Sequence, residues 1–245
     1  MVIKIIFMTD NKKILQGNSD PEKGAYLGAI ASIATADRQA SEEEMDYIAE
    51  LCEAADLSPQ QKIAVMRAAT ELSSDELTRC LDILKKSDLR FSLVTDLMAF
   101  GKSDENYNEA EQENVRKIAA YIGINEQQFS LLDQFAEKTK TAQLPTSENN
   151  HQHFLSSLGM KEKLRSAGID GSGLLKGLIG FAAPMILSGL LSGRNSRGRS
   201  SAYNGNNGMG GYGGGGLSSI IGMLNGGRGF GSTGGLLGKI LSRGF

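Results

Sequence analysis

Residues 36–44, ADRQASEEE, are written a second time 67 residues later as SDENYNEAE, residues 103–111. Asp37 answers to Asp104, Ser41 to Asn108 and Glu44 to Glu111. The correspondence runs outward in both directions. Leu27, Ile30 and Ile33 fall on Val94, Leu97 and Phe100, while Ile48, Leu51 and Leu57 fall on Val115, Ile118 and Ile124. The pair Gln60 and Gln61 recurs as Gln127 and Gln128. A self-similarity of this length implies two like structural units packed against each other, each with an acidic turn.

The apolar residues on either side of the turns are spaced by three and four, the helical period. Asp20, Pro21 and Glu22 carry the composition of a helix start, with Asp20 as the capping acid. That helix runs to about Ala36. Ser41 with Glu44 forms a capping box for the next. Ser58 and Pro59 open a third, whose apolar positions are read as Ile63, Met66 and Ala69. Ser73, Asp88, Asn108 and Asn125 open four more. The reading is all-α: a compact seven-helix bundle with an internal pseudo-repeat over residues 17–140, preceded by a flexible N-terminus, 1–16. Met8 is an alternative translation start to Met1.

Composition sets the C-terminal part of the chain apart. All 28 Asp and Glu lie at or before Asp170 with 19 of the Lys and Arg, a formal −9 for that part. Residues 171–245 hold seven Lys or Arg, no acid, and 24 of the 31 glycines. So much glycine buries too little side chain to offset backbone entropy, so a largely disordered, basic, Gly-rich tail is expected from Gly171. Residues 141–170 read as a polar linker with a short helix. His151 and His153 stand there in an H-x-H spacing that suits a metal, though the simpler reading is two polar linker residues. Cys52 and Cys80 sit at apolar helical positions and read as reduced core residues, which favours a reducing compartment.

Templates for catalysis are missing from the sequence. It has no phosphate loop, nucleophile elbow or HExxH, and no histidine in residues 17–140 to serve a triad; an enzyme is not expected. The candidate site is the pair of acidic turns. Asp37 with Glu44, and Asp104 with Glu111, offer hard oxygen ligands that suit Ca²⁺ or Mg²⁺. The same residues also serve as turn and cap groups without an ion. Both readings stand at this level.

The segments IASIATADRQASEEEMDYIAELC (30–52) and LMAFGKSDENYNEAEQENVRKIAAYIG (97–123) resemble the tellurite-resistance TerB-like family. Arg38 and Glu105 stand where that family usually places glycine after the Asp. The resemblance implies a cytoplasmic, non-enzymatic helical module linked to chemical stress, suggested to bind divalent cations. Within the tail, leucine and isoleucine clusters beside Lys176, Arg194, Arg197, Arg199, Lys239 and Arg243 suit an anionic membrane surface or self-association. Arg-Gly-Phe at 228–230 and 243–245 offers nucleic acid as a lesser alternative. The protein partner is not named by the sequence.

Overall fold

A computed structural model describes residues 13–34, 42–70, 74–103, 109–139 and 148–179, with the single residues 142 and 145. Among the described residues the regular structure is entirely helical. Seven helices span the predicted bundle: α1 (Asp20–Ala34), α2 (Glu42–Ala54), α3 (Pro59–Thr70), α4 (Ser74–Leu84), α5 (Leu89–Ser103), α6 (Glu109–Tyr121) and α7 (Glu126–Thr139). The bounds of α2 shifted by 67 are those of α6, so the repeat read in the sequence is a repeat of structure.

The repeat extends to the helix ends. Ser58 accepts from Gln61 N–H at 3.3 Å to cap α3, and Asn125 accepts from Gln128 N–H at 2.9 Å to cap α7. Helix α2 closes with Leu57 N–H on Cys52 O at 3.1 Å, and α6 with Ile124 N–H on Ala119 O at 2.9 Å. Both closures need a left-handed residue, supplied by Asp56 (φ 56°) in one unit and Gly123 (φ 81°) in the other. Glycine takes that conformation without a Cβ penalty, so the first unit carries the dearer version of the same stop.

Asp20 plays a different part from the expected one. Ser19 and Glu22 make the capping box of α1, Glu22 accepting from Ser19 N–H at 2.8 Å and from its hydroxyl at 2.6 Å. Asp20, one residue inside the helix, reaches across to α3 and accepts from Ser58 N–H at 3.1 Å and Ser58 O–H at 2.6 Å. Bonds from the Ser58 side chain, then its backbone, hold Asp20 below the usual carboxyl range. The hydroxyls of Ser19 and Ser87, then the Ser19 N–H, do the same for Glu22. A lowered folded pKa gives stability that is full above the ordinary range and lost as pH falls through the folded value. Stability of the full chain is therefore expected to fall below about pH 4. Asp20→Ala should remove about 1–2 kcal/mol at pH 7 and flatten the acid loss; urea unfolding at both pH values reads the two effects.

Helix α1 packs most extensively on α3 and α4. Its small residues explain the approach: a Cβ added at Gly24 would lie 2.1 Å from Gln61 Oε1, and one at Gly28 would lie 3.0 Å from Cys80 Sγ and 3.9 Å from the Ala68 Cβ. Gly24 thus leaves room for the Gln61 side chain of α3, and Gly28 for Cys80 of α4 and Ala68 of α3. Helix α3 turns Val65, Ala68 and Ala69 inward, and Ile63, expected on the buried stripe, is left 62% exposed. Helix α5 is the central element. Phe91 to Ala99 are all buried because α6 and α7, α1 and the C-terminal helices surround it.

The packed unit is larger than residues 17–140. Lys13–Gln16, expected in a flexible N-terminus, close against α2: Ile14 N–H donates to Ala54 O at 3.0 Å and Leu15 is fully buried. Beyond α7, a 3₁₀ turn (Glu148–Asn150) leads into α8 (His151–Ser157), α9 (Lys161–Ser166) and α10 (Gly171–Gly177). Where a linker and then a disordered tail were expected, Leu155, Met160, Leu164, Ile169, Leu174, Leu178 and Ile179 join the core. Two bonds from α7 hold this extension, Lys138 Nζ to Leu158 O at 2.8 Å and Gln128 Nε2 to Ala167 O at 3.0 Å. The rest of the tail, from residue 180, lies outside the described residues.

Candidate functional site

Glu44 is the third residue of α2, and Glu111 is the third residue of α6. Each therefore stands in the first turn of a helix, where the exposed N–H groups and the helix dipole favour negative charge. Asp37 falls in sequence between α1 and α2, and Asp104 between α5 and α6; both lie outside the described residues, as do Ser41, Asn108 and the side chains of Glu44 and Glu111. The donor set is two carboxylates at each turn, all hard oxygen, which is the chemistry Ca²⁺ and Mg²⁺ take.

The histidine pair does not form a site. His151 and His153 lie on α8, where residues two apart point about 200° from each other; His151 is buried and His153 exposed. Among the described residues no group of three or more His, Cys, Asp or Glu is placed to hold a metal ion. Both cysteines are free thiols. No helix among the described residues is long and apolar enough to cross a membrane.

A polar cluster that sequence reasoning passed over lies at the centre of the bundle. Asp96, 1% exposed in the middle of α5, accepts from the Tyr26 hydroxyl of α1 at 2.6 Å and from the Ile179 N–H at 3.0 Å. Tyr47 of α2 brings a second buried hydroxyl, which has no hydrogen-bond partner among the described residues. Burial first, and then the charge of Asp96, push the ionisation of both tyrosines upward. Both therefore stay protonated, and Tyr26 donates to Asp96. A buried carboxylate is tolerable only when it is hydrogen-bonded, and here the donors come from α1 and the end of the C-terminal segment. The group joins elements, and each of its side chains is at most 1% exposed. Its signal in the sequence was the one acid inside the apolar run RFSLVTDLMAF, residues 90–100.

Around Asp96 the last described residues are seated with little tolerance. Ser92 Oγ donates to Leu174 O at 3.0 Å. Gly177 lies flat against α5, where an added Cβ would meet Ser92 Oγ at 2.2 Å and Leu89 Cδ2 at 2.8 Å. Asp170 caps α10 by accepting from Ser172 N–H at 3.1 Å and Gly173 N–H at 2.9 Å.

Residues 23–134 match the model of the family described as Tellurite resistance protein TerB. The match covers α2–α6 whole, most of α1, and α7 as far as residue 134. No curated protein and no solved structure matches the chain.

Proposed function

We propose that the chain, whose residues 23–134 match the tellurite-resistance TerB family, is a non-enzymatic binding or scaffolding module of the tellurite-resistance type, holding a divalent cation at each of its two acidic turns. Asp37 and Glu44 serve one turn, Asp104 and Glu111 the other, and Ca²⁺ or Mg²⁺ is the ion their oxygens suit. The observation that carries this reading is the equivalence of the turns. Glu44 and Glu111 occupy the same place in helices whose bounds differ by the repeat length, and Asp37 and Asp104 stand seven residues before them in each unit. When bound, the ion neutralises the carboxylates of its turn and ties a helix pair together.

A ligand that selects the folded state raises stability by mass action, by about 2.7 kcal/mol at a hundred times Kd. Thermal unfolding of the full chain in millimolar Ca²⁺, Mg²⁺ or Mn²⁺ is expected to show a raised Tm, lost in the Asp37→Asn, Asp104→Asn double variant. An unchanged Tm, with the variant melting lower in plain buffer, would leave the four residues as turn and cap groups.

The tail supports a second element of the same function, attachment to an anionic membrane surface. Its seven Lys and Arg are unopposed by any acid and alternate with leucine and isoleucine clusters. Apolar pieces of this kind bury shallowly while cations meet the headgroups. The domain would then present its exposed helix faces to a protein partner at that surface.

A further inference from the structure

The segment seated over Asp96 is also the beginning of the most apolar stretch of the tail. Residues 174–191, LLKGLIGFAAPMILSGLL, hold a single charge, Lys176, and are followed by Arg194, Arg197 and Arg199. Leu174, Leu178 and Ile179 of that stretch are buried in the protein core. The same side chains cannot be buried in the core and in a lipid surface at once. What the core withholds is about a third of the run.

The helix that holds them back is weak by itself. Three of the seven residues of α10 are glycine, the least favourable helix former after proline, and seven residues are too few for an isolated helix in water. Its order comes from its docking: the apolar contacts, the Ser92 bond to Leu174, the Asp96 bond to Ile179 and the flat approach of Gly177. An element held in this way opens at lower cost than the body it rests on.

We propose that residues 171–179 form a latch, which in its docked state keeps the front of the apolar run off the membrane and which leaves α5 when the run enters an anionic lipid surface. This rests on the membrane-surface reading of the tail. Docking and lipid binding are then coupled, and the coupling is reciprocal: lipid must loosen the latch by the factor with which loosening the latch tightens lipid binding.

The test uses the full chain and vesicles of phosphatidylglycerol mixed with phosphatidylcholine. Gly177→Asn drives a side chain into Ser92 and releases the segment, and its polar amide adds nothing to the run's own affinity for lipid. It is expected to bind the vesicles about ten-fold more tightly than the natural chain, within the usual span of coupling between two sites. In the natural chain the Ile179 amide, protected from hydrogen exchange while it donates to Asp96, should lose protection when vesicles are added. Equal binding of the two proteins, or an Ile179 amide still protected on the vesicle, overturns the latch and leaves the membrane reading standing. If neither protein binds the vesicles while exchange shows the segment released in Gly177→Asn, the membrane reading falls and the latch falls with it.

Discussion

Asp96→Ala is expected to be among the most damaging single changes in the chain, lowering the stability of the full-length protein by about 3–5 kcal/mol. The alanine removes an acceptor and leaves two buried donors behind. The Tyr26 hydroxyl loses its bond at 2.6 Å and the Ile179 N–H loses its bond at 3.0 Å. Neither is open to water, since Tyr26 and Ile179 are each at most 1% exposed. Asp96→Asn separates charge from hydrogen bonding. Its amide oxygen still accepts from Tyr26 and Ile179, so the loss should be well under that of alanine. Urea unfolding of the three proteins decides it. An Asp96→Ala loss near 1 kcal/mol, the ordinary value of a single hydrogen bond, would mean that the cluster is not the joint it is taken to be.

The second large effect lies where the two repeat units differ. Phe135→Ala should destabilise by about 3–5 kcal/mol, the range for removing a fully buried aromatic ring. Phe135 is 0% exposed on α7, and the residue equivalent to it in the first unit is Ala68, 2% exposed on α3. The units therefore share one plan with different spacers. On α1, Gly24 meets Gln61 and Gly28 meets Cys80 and Ala68, whereas Phe91 and Thr95 stand on α5 at the places of Gly24 and Gly28. Truncating Phe135 gives the second unit the small side chain of the first without its close helix approach, and the result is a cavity. Thermal or urea unfolding of the full chain measures it, and a loss below about 2 kcal/mol would show that α5 and α7 close together as α1 and α3 do.

How much of this was legible depended on which physical effect fixed each feature. The seven helices of the bundle were readable because each has a local start signal and a period-three-to-four stripe, and local chemistry suffices for both. The face of α3 was legible in part: Ala69 is buried and Met66 packs against the core as read, but Ile63 is exposed, because which edge of the stripe turns inward is set by the packing of α3 on α1, a tertiary condition. Asp20 was misread for a related reason. Ser19 and Glu22 carry the same S-x-x-E spacing as Ser41 and Glu44 and so offered the cap locally, but nothing local says that Asp20 bonds Ser58 on another helix. The extension through α8 to α10 did carry a local signal. Gly159 before Met160, and Gly168 before Ile169, have the left-handed glycine and buried apolar residue of the α6 stop. Polar composition around them hid a pattern already present at Gly123 and Ile124. At the acidic turns, the repeat in the sequence placed Glu44 and Glu111 at matching positions in α2 and α6.

Cys52 and Cys80 have a consequence of another kind. Burial pushes both thiols up to about 12, so at neutral pH roughly one in 10⁵ is the thiolate that reacts with electrophiles and oxidants. Both lie in the first unit, on α2 and α4, and the second unit has alanine where Cys52 would recur, at Ala119. Cys80 is partly exposed, but Cys52 is buried, and its modification by a reagent in the surrounding solution must wait for the helices to part. Cys52 keeps time for one half of the molecule: each of its reactions records an opening of the first unit, and the second unit opens and closes unrecorded.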